Sequence, residues 1–475
     1  MDWTLILPET ALLLLCVLLL CLMLIRKTPA AGVLSPLMGI ATAGVGLAAL
    51  WSFGFSGILF FSTYRVDLFS QCFKLLVWAA FFLTVFFSRS LHEIDDGRRL
   101  EYYFFLSAAA LGMMMMASAV DLLTLYVSLE LASYSLYLLS ALKNRGRDAE
   151  AGVKYLFFGA AASGVFLWGA SLLAGISGST SLAGISENIH GLIASPASLV
   201  GMIFVCFSFL FKLSAFPLHF WAPDVYESAA TPVVNFIATA SKAAAVAVLA
   251  RFLMFLPPSP EFVRALTAIA FASMTLGNCV ALWQEDVKRL LAYSSVAQAG
   301  YILVGLLAAG GEGFSSAIFY TAAYVLMNAA AFFVVSRVAL DSGHDNPRLS
   351  HFDGLAERSP FLALVLLISL LSLAGIPPLA GFTGKWILFS AAMDKGHWFL
   401  VLWAVLNSVV SLFYYLTLVK HAYLEKPKEG LPPMALPLAA RTVGLALCLS
   451  IILLGIFPNA LISLAQEAVL SGGLH

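Results

Sequence analysis

The sequence predicts an all-α polytopic membrane protein of about fourteen transmembrane helices, and three observations carry the prediction. Of its 475 residues, 61% are hydrophobic and only 11% charged. Apolar stretches of about 20 residues, the length a helix needs to cross a bilayer, recur from one end of the chain to the other. The basic residues, finally, fall in alternate connections, as an ordered series of crossings requires. Such a chain has no room for a sizeable soluble domain. With 26 basic against 26 acidic residues, nothing in its charge points to nucleic acid.

Hydropathy places the spans at 4–25, 32–52, 68–88, 102–119, 121–141, 153–175, 197–221, 230–252, 262–283, 288–309, 314–340, 360–393, 398–422 and 439–464. The first is preceded by Asp2 and followed by Arg26 and Lys27, the reverse of a cleavable leader, so it reads as a retained helix with its N-terminus outside. Alternating from there, the inner connections hold 18 of the 26 Lys and Arg, and the outer ones only Arg65, Arg251, Arg264 and Lys395. One helix more or fewer would scramble that asymmetry. Lys74, near the outer end of the third span, is expected to snorkel to the interface. The six cysteines include no Cys-x-x-Cys pair, and no Gly-x-Gly-x-x-Gly follows a strand, so neither metal or iron–sulfur chemistry nor a nucleotide site is expected.

Four charged residues lie well inside apolar runs: Glu130, Lys212, Lys242 and Lys385. A charge at the centre of a spanning helix costs roughly 2.5–3.5 kcal/mol on insertion scales, so each is a functional candidate. A buried network that only fixes helix packing is the structural alternative. Three lysines against one acid leave uncompensated positive charge in that case, which favours a set built to stay partly neutral and exchange protons.

Two spans carry prolines where a helix would continue. In 197–221, Pro217 cannot donate to the carbonyl of residue 213, one residue beyond Lys212. In 360–393, read as one broken helix, Pro377 and Pro378 free carbonyls around 373 and 374, just before Lys385. Backbone opened at membrane depth survives only when buried in protein or lining a watery cavity, so each break places free carbonyls near a lysine. These are the seventh and twelfth spans, and an offset of five inverts the second unit relative to the first, as expected of inverted repeats around a midplane ion site.

Within this frame Glu130 is the natural partner of Lys212. Lys242, on the next span, is the following station along the midplane, and Lys385 is a terminal station facing the outer side. A lysine withdrawn from water is easily swung in proton affinity by moving one partner, which suits it to this use. Ser133, Tyr134, His219, Ser241, Ser294, Ser295, Gln298, Tyr301, Asn328 and Thr383 are candidates to hold waters between the charged groups.

Five blocks, 121–144 with Glu130, 150–173, 211–233, 285–302 and 358–386, resemble the antiporter-like membrane subunits of respiratory complex I. Within that family the Gly381-Phe382-Thr383-Gly384-Lys385 stretch is similar to the N-type, whereas the M-type is expected to carry glutamate at the lysine position. The end of the chain about eleven residues after the last span is unlike the L-type with its lateral helix, and 475 residues suit a bacterial member. The resemblance implies inverted repeats of helices four to eight and nine to thirteen. It divides the chain into an N-terminal three-helix segment 1–100, repeats at 101–255 and 256–425, and a C-terminal helix 426–475. It also implies that Glu130 and Lys212 form a modulating pair, Lys242 connects, and Lys385 serves the second half-channel. Gln298 stands where many relatives are expected to have histidine, which puts in doubt a titrating role for the tenth helix.

The implied function is a proton-translocating membrane-arm subunit of a bacterial type I NADH:quinone oxidoreductase, in the cytoplasmic (inner) membrane with both termini on the periplasmic side. NADH, FMN, iron–sulfur clusters and quinone would be bound by other subunits. The implied partners are the M-type and small K-type subunits, the lateral helix of the L-type subunit and the lipid bilayer. The rival readings are a D-type subunit of a multisubunit sodium/proton antiporter and a non-transporting structural subunit.

Overall fold

The computed structural model describes residues 3–25, 31–90, 93–143, 146–189, 195–256, 259–427 and 432–473. Asp2, Arg26 and Lys27, used above to orient the chain, lie outside the described residues, as do Arg145 and Lys428 among the 18 basic residues of the inner connections. In chain order the helices are α1 (Leu7–Leu24), α2 (Ala31–Trp51), α3 (Leu68–Phe87), α4 (Arg99–Ser118), α5 (Leu122–Ser140), α6 (Gly146–Ser177), α7 (Leu182–Ile189), α8 (Pro196–Leu213), α9 (Trp221–Ser228) and α10 (Thr231–Phe236). A π-helical turn, Ile237–Ser241, leads into α11 (Lys242–Phe255). There follow α12 (Pro260–Ala281), α13 (Val287–Leu307), α14 (Gly311–Ser342), α15 (Leu355–Arg358), α16 (Pro360–Ala374), α17 (Ala380–Asp394), α18 (Trp398–Tyr423), α19 (Leu438–Ile456) and α20 (Asn459–Gly472). A two-stranded hairpin, Gly57–Leu59 with Tyr64–Val66, joins α2 to α3.

Among the described residues thirteen helices are long and apolar enough to cross a membrane, and the α16–α17 pair supplies a fourteenth crossing. The chain is a multi-pass membrane protein. Its spans are not equally placed: 94–100% of the most apolar window is buried for α10–α11, α13 and α14, against 28–44% for α1, α2, α6, α12, α18 and α19. The central helices are therefore those that carry Lys242, Ser294, Ser295, Gln298, Tyr301 and Asn328, and the outer ones present Leu, Phe and Trp side chains outward. Acidic N-caps start several spans. Asp121 accepts from the N–H groups of Leu123 and Thr124, and Asp286 from that of Arg289.

The two halves share local geometry. A Cβ on Gly112 of α4 would lie 2.6 Å from Ala132 N and 2.8 Å from Ser128 O of α5. One on Gly277 of α12 would lie 2.6 Å from Ala297 N and 2.7 Å from Tyr293 O of α13, in the same register. The helix breaks match as well. α8 ends at Ser214 (φ 53°), with the Ala215 N–H donating to Leu210 O at 3.0 Å; α16 ends at Gly375 (φ 93°), with the Ile376 N–H donating to Leu371 O at 3.0 Å. Each is a left-handed C-cap that satisfies a terminal carbonyl. A cis X–Pro bond follows at the same spacing, Phe216–Pro217 and Pro377–Pro378.

One expectation is placed more closely and two need correction. The break expected in 197–221 falls at Leu213, where the Ser214 cap turns the chain before Pro217 is reached, and a separate short helix resumes at Trp221. The last span is two helices, since Pro458 lacks the N–H needed to continue α19. Lys74 does not snorkel: its Nζ is buried 2.6 Å from Glu9 Oε1 of α1, and the Tyr64 hydroxyl donates to the same oxygen at 2.6 Å. With a carboxylate supplied inside the bundle, the side chain has no need of the interface.

A second buried pair anchors the hairpin end of the bundle. Arg251 Nη1 and Nη2 reach the two Asp67 oxygens at 2.5 and 2.9 Å, and Nη2 also donates to Ala117 O. Burial alone would raise the Asp67 carboxyl, but the charge and hydrogen bonds of Arg251 outweigh it and hold the carboxyl below the usual carboxylate range. Asp67→Asn leaves the arginine uncompensated, and the expected loss is about 3–5 kcal/mol, read as a lower thermal midpoint of the purified protein. A carboxyl lowered on folding stabilises above its unfolded pKa and ceases to do so as pH falls through its folded value. The stability difference between native and Asp67→Asn protein should therefore shrink on the acid side.

Candidate functional site

The site begins where α8 and α16 open. Leu213 O, freed at the first break, accepts from Lys242 Nζ at 2.9 Å, and the same ammonium donates to Ser214 Oγ at 2.7 Å and to Ser295 O of α13 at 3.1 Å. Lys242 is the first residue after the π-helical turn, so the widened turn and the lysine lie side by side at the break. At the second break Leu373 O and Ala374 O accept from Lys385 Nζ, each at 3.1 Å, and the ammonium lies 4.5 Å from the centroid of the Tyr301 ring. Both breaks thus use one device: a buried lysine from a neighbouring segment supplies the donors that the interrupted helix lacks.

α13 joins the two. Gln298 Nε2 donates to Leu373 O at 3.1 Å, sharing that carbonyl with Lys385, and lies 3.5 Å from the Tyr415 hydroxyl. The Tyr415 hydroxyl is 2.5 Å from Ser294 Oγ, and the Tyr320 hydroxyl donates to Gln298 Oε1. Ser294 is adjacent to Ser295, whose carbonyl holds Lys242. A line of polar groups therefore runs from Lys242 through Ser295, Ser294, Tyr415 and Gln298 to Lys385, inside the helices that are themselves most buried.

Lys212 is buried at the end of α8, one residue before the carbonyl that Lys242 holds. Glu130 is half-buried on α5 and accepts a hydrogen bond from Ser163 Oγ of α6. Among the described residues no ion pair within 4.0 Å joins Glu130 to Lys212, although Glu130 is the carboxylate that interacts electrostatically with that lysine. The acid is thus placed beside the first break rather than locked onto it.

The supporting residues divide. Pro217 and Pro377–Pro378 form the two turns, Gln298 and Tyr301 belong to the line, and Ser241 is buried beside Lys242 with its hydroxyl unpaired. The His219 ring lies in the first break between Phe216 and Phe220. Others are spent elsewhere. Thr383 Oγ1 donates to Gly455 O and ties α17 to α19, Asn328 Nδ2 donates to Tyr324 O of its own helix, and Ser133 Oγ to Leu129 O of its own. Tyr134 points out of the bundle. Sequence reasoning passed over Ser163, Ser214, Tyr320 and Tyr415. Adjacent tyrosines 414 and 415 in an apolar span were a usable signal, whereas Ser163 in a small-residue helix face was not.

Two broken, lysine-capped helices in a multi-pass bundle define an antiporter-like membrane subunit. The chain belongs to the NADH:quinone oxidoreductase/Mrp antiporter membrane family, whose profile matches residues 119–411. It is 45% identical over 432 residues to NADH-quinone oxidoreductase subunit N 2 of Syntrophobacter fumaroxidans, covering 90% of this chain and 91% of that protein. A chain in the structure of respiratory complex I from Thermus thermophilus with bound aureothin superposes with a TM-score of 0.84 at 34% identity, over 97% of this chain and 99% of that one. A chain of the Mrp complex from Dietzia sp. DQ12-45-1b superposes with a TM-score of 0.89 at 20% identity, over 99% and 97%, a likeness of fold alone.

Proposed function

We propose that this chain is the proton-translocating N-type subunit in the membrane arm of a bacterial NADH:quinone oxidoreductase, moving protons through Glu130, Lys212, Lys242 and Lys385. The observation that carries the reading is the buried polar line between two helix breaks, each closed by a lysine. Identity to subunits named N exceeds identity to the Mrp chain by about twofold, which favours the quinone-linked over the sodium/proton reading. Redox chemistry in other subunits drives the movement; NADH, FMN, iron–sulfur clusters and quinone are assigned to those subunits and none to this chain.

The exposed turns at Pro217 and Pro377–Pro378 bear on the setting. Opened backbone at membrane depth is not tolerated against lipid, so neighbouring protein is the natural cover for these turns. M-type, K-type and L-type subunits, the last through its lateral helix, are the proposed neighbours in the inner membrane, with both termini of this chain on the periplasmic side. The segments 1–100, 101–255, 256–425 and 426–475 are the proposed units, the middle two being inverted repeats. The matched crossings at Gly112 and Gly277 and the matched breaks support this division.

Lys212→Ala in the assembled complex should depress proton pumping and quinone reduction together by at least roughly tenfold, the scale of a lost proton-transfer group, while ferricyanide reduction by the peripheral arm persists. Native pumping in that variant overturns the reading.

A further inference from the structure

Away from the polar line, a buried cluster of acids and bases gathers where α9 hands over to α10. Lys143 Nζ lies 3.3 Å from Glu93 Oε2 and 3.3 Å from Asp345 Oδ2, and donates to Ser228 O at 3.3 Å. Lys288 Nζ donates to Ala229 O at 2.9 Å. Both Glu93 oxygens accept from the Thr231 N–H at 3.1 Å, so this carboxylate caps the helix that leads to Lys242. These residues come from four connections that the charge pattern puts on the inner side, yet Lys143 and Lys288 are buried and so is the side chain of Glu93.

Between cluster and lysine the structure leaves polar atoms unpaired. Thr231 Oγ1, Asn235 Oδ1 and Ser241 Oγ have no hydrogen-bond partner, and their side chains are at most 1% exposed. A buried acceptor or hydroxyl left unsatisfied is costly unless water serves it. Three on the single run from Thr231 to Lys242, a rise of about 16 Å, mark a path for water rather than three independent defects. A second connection runs beside it. α9, whose last carbonyls Lys143 and Lys288 hold, brings the Tyr226 hydroxyl to 3.4 Å from Ser295 Oγ, and Ser295 O holds Lys242.

We propose that the Glu93–Lys143–Asp345–Lys288 cluster is the inner-side proton intake of this subunit, loading Lys242 through the Thr231–Asn235–Ser241 run. The inference rests on the transport function proposed above. A proton from inner-side water binds the Glu93 carboxylate, passes along the run to the unprotonated Lys242 amine, and leaves Glu93 ionised again. No electron is moved. Lys143 holds Glu93 in place and keeps its charge compensated between loadings, which makes it a positioning residue.

Glu93→Gln, studied in the whole complex in inside-out vesicles driven by NADH, tests the assignment. The amide keeps the acceptor for the Thr231 N–H but cannot carry a proton. Pumping should fall roughly tenfold, on the scale of a lost acid–base group, with ferricyanide reduction and complex content unchanged. Imidazole, a small permeant proton carrier, should restore part of the rate, and deuterated solvent should slow the variant more than the native complex. A structural role moves neither of those readouts. Native pumping, or a loss in a fully assembled complex that imidazole does not relieve, overturns the assignment. If Glu93→Gln does not assemble, Lys143→Gln, which keeps the carboxylate but removes its compensating charge, should lower pumping and move its pH profile upward, and a native rate and profile there overturn the assignment. Lys212→Ala run in parallel separates the two levels: native pumping there removes the transport reading itself, whereas lost pumping there with native pumping in Glu93→Gln removes only the intake.

Discussion

Lys385→Met should halt coupled turnover while leaving the subunit in its complex. Methionine nearly matches the lysine stem in length and volume, so the space beside Gly375, where an added Cβ would come 3.1 Å from Lys385 Cδ, stays filled. Of the two carbonyls the ammonium serves, Leu373 O keeps its bond from Gln298 and only Ala374 O is abandoned. One unsatisfied buried carbonyl costs about 1–3 kcal/mol, too little to unpack a bundle held by this much apolar contact. The proton-carrying group is gone, however, so NADH-driven pumping and quinone reduction should both drop by roughly a hundredfold, within the range for loss of an acid–base group. Lys385→Arg supplies the informative contrast. Guanidinium can hold both carbonyls but does not release its proton near neutral pH. If Lys385 exchanges protons, Arg assembles and still fails to pump; if it is only a clamp, Arg works. Full turnover in both variants would establish the structural-subunit reading in place of transport.

Much of this arrangement was legible in the sequence, because insertion energetics makes a charged residue in an apolar run conspicuous. Glu130, Lys212, Lys242 and Lys385 stand out on that ground alone, and the prolines located both breaks to within a few residues. The carbonyls freed at 213, 373 and 374 were legible too, since a missing N–H leaves a known acceptor open. Which donor would fill each was not. Lys212, the lysine nearest in sequence, does not cap its own break; Lys242 does, from the following helix. Such a pairing depends on how helices cross, and one sequence carries no record of that. The same blindness explains Lys74, whose partner Glu9 lies on the first helix, and the Glu93 cluster, whose members sit in connections that read as ordinary solvated loops. Polar residues at helical spacing were over-read, as with Asn328 and Ser133, which bond to their own backbone, the usual use of such side chains inside helices.

Lys242→Met should produce a different failure from Lys385→Met, with stability and turnover lost together. Lys242 directs all three of its donors to protein: Leu213 O, Ser214 Oγ and Ser295 O. Ser214 Oγ can still donate to Leu213 O, as it does at 2.6 Å, and Ser295 O keeps its place in the α13 helix ladder, so the substitution leaves the Ser214 hydroxyl oxygen without its donor and cuts the tie from Lys242 to α13. The abandoned oxygen costs about 1–3 kcal/mol, and the lost bonds to Leu213 O and Ser295 O add to it. They fall at the one point where α8, the π-helical turn and α13 meet. Melting of the purified complex should therefore begin at lower temperature, with pumping reduced by roughly a hundredfold or more in what remains assembled. Lys242→Gln divides the two effects, since its amide offers two donors but no exchangeable ammonium. Glutamine should recover most of the lost thermal stability and none of the pumping. If glutamine restored both, hydrogen bonding at the break would be the whole function of Lys242, and the line along α13 would have to pass protons without it. If it restored stability alone, the lysine that holds the helix open would also be the group that carries the proton across the opening.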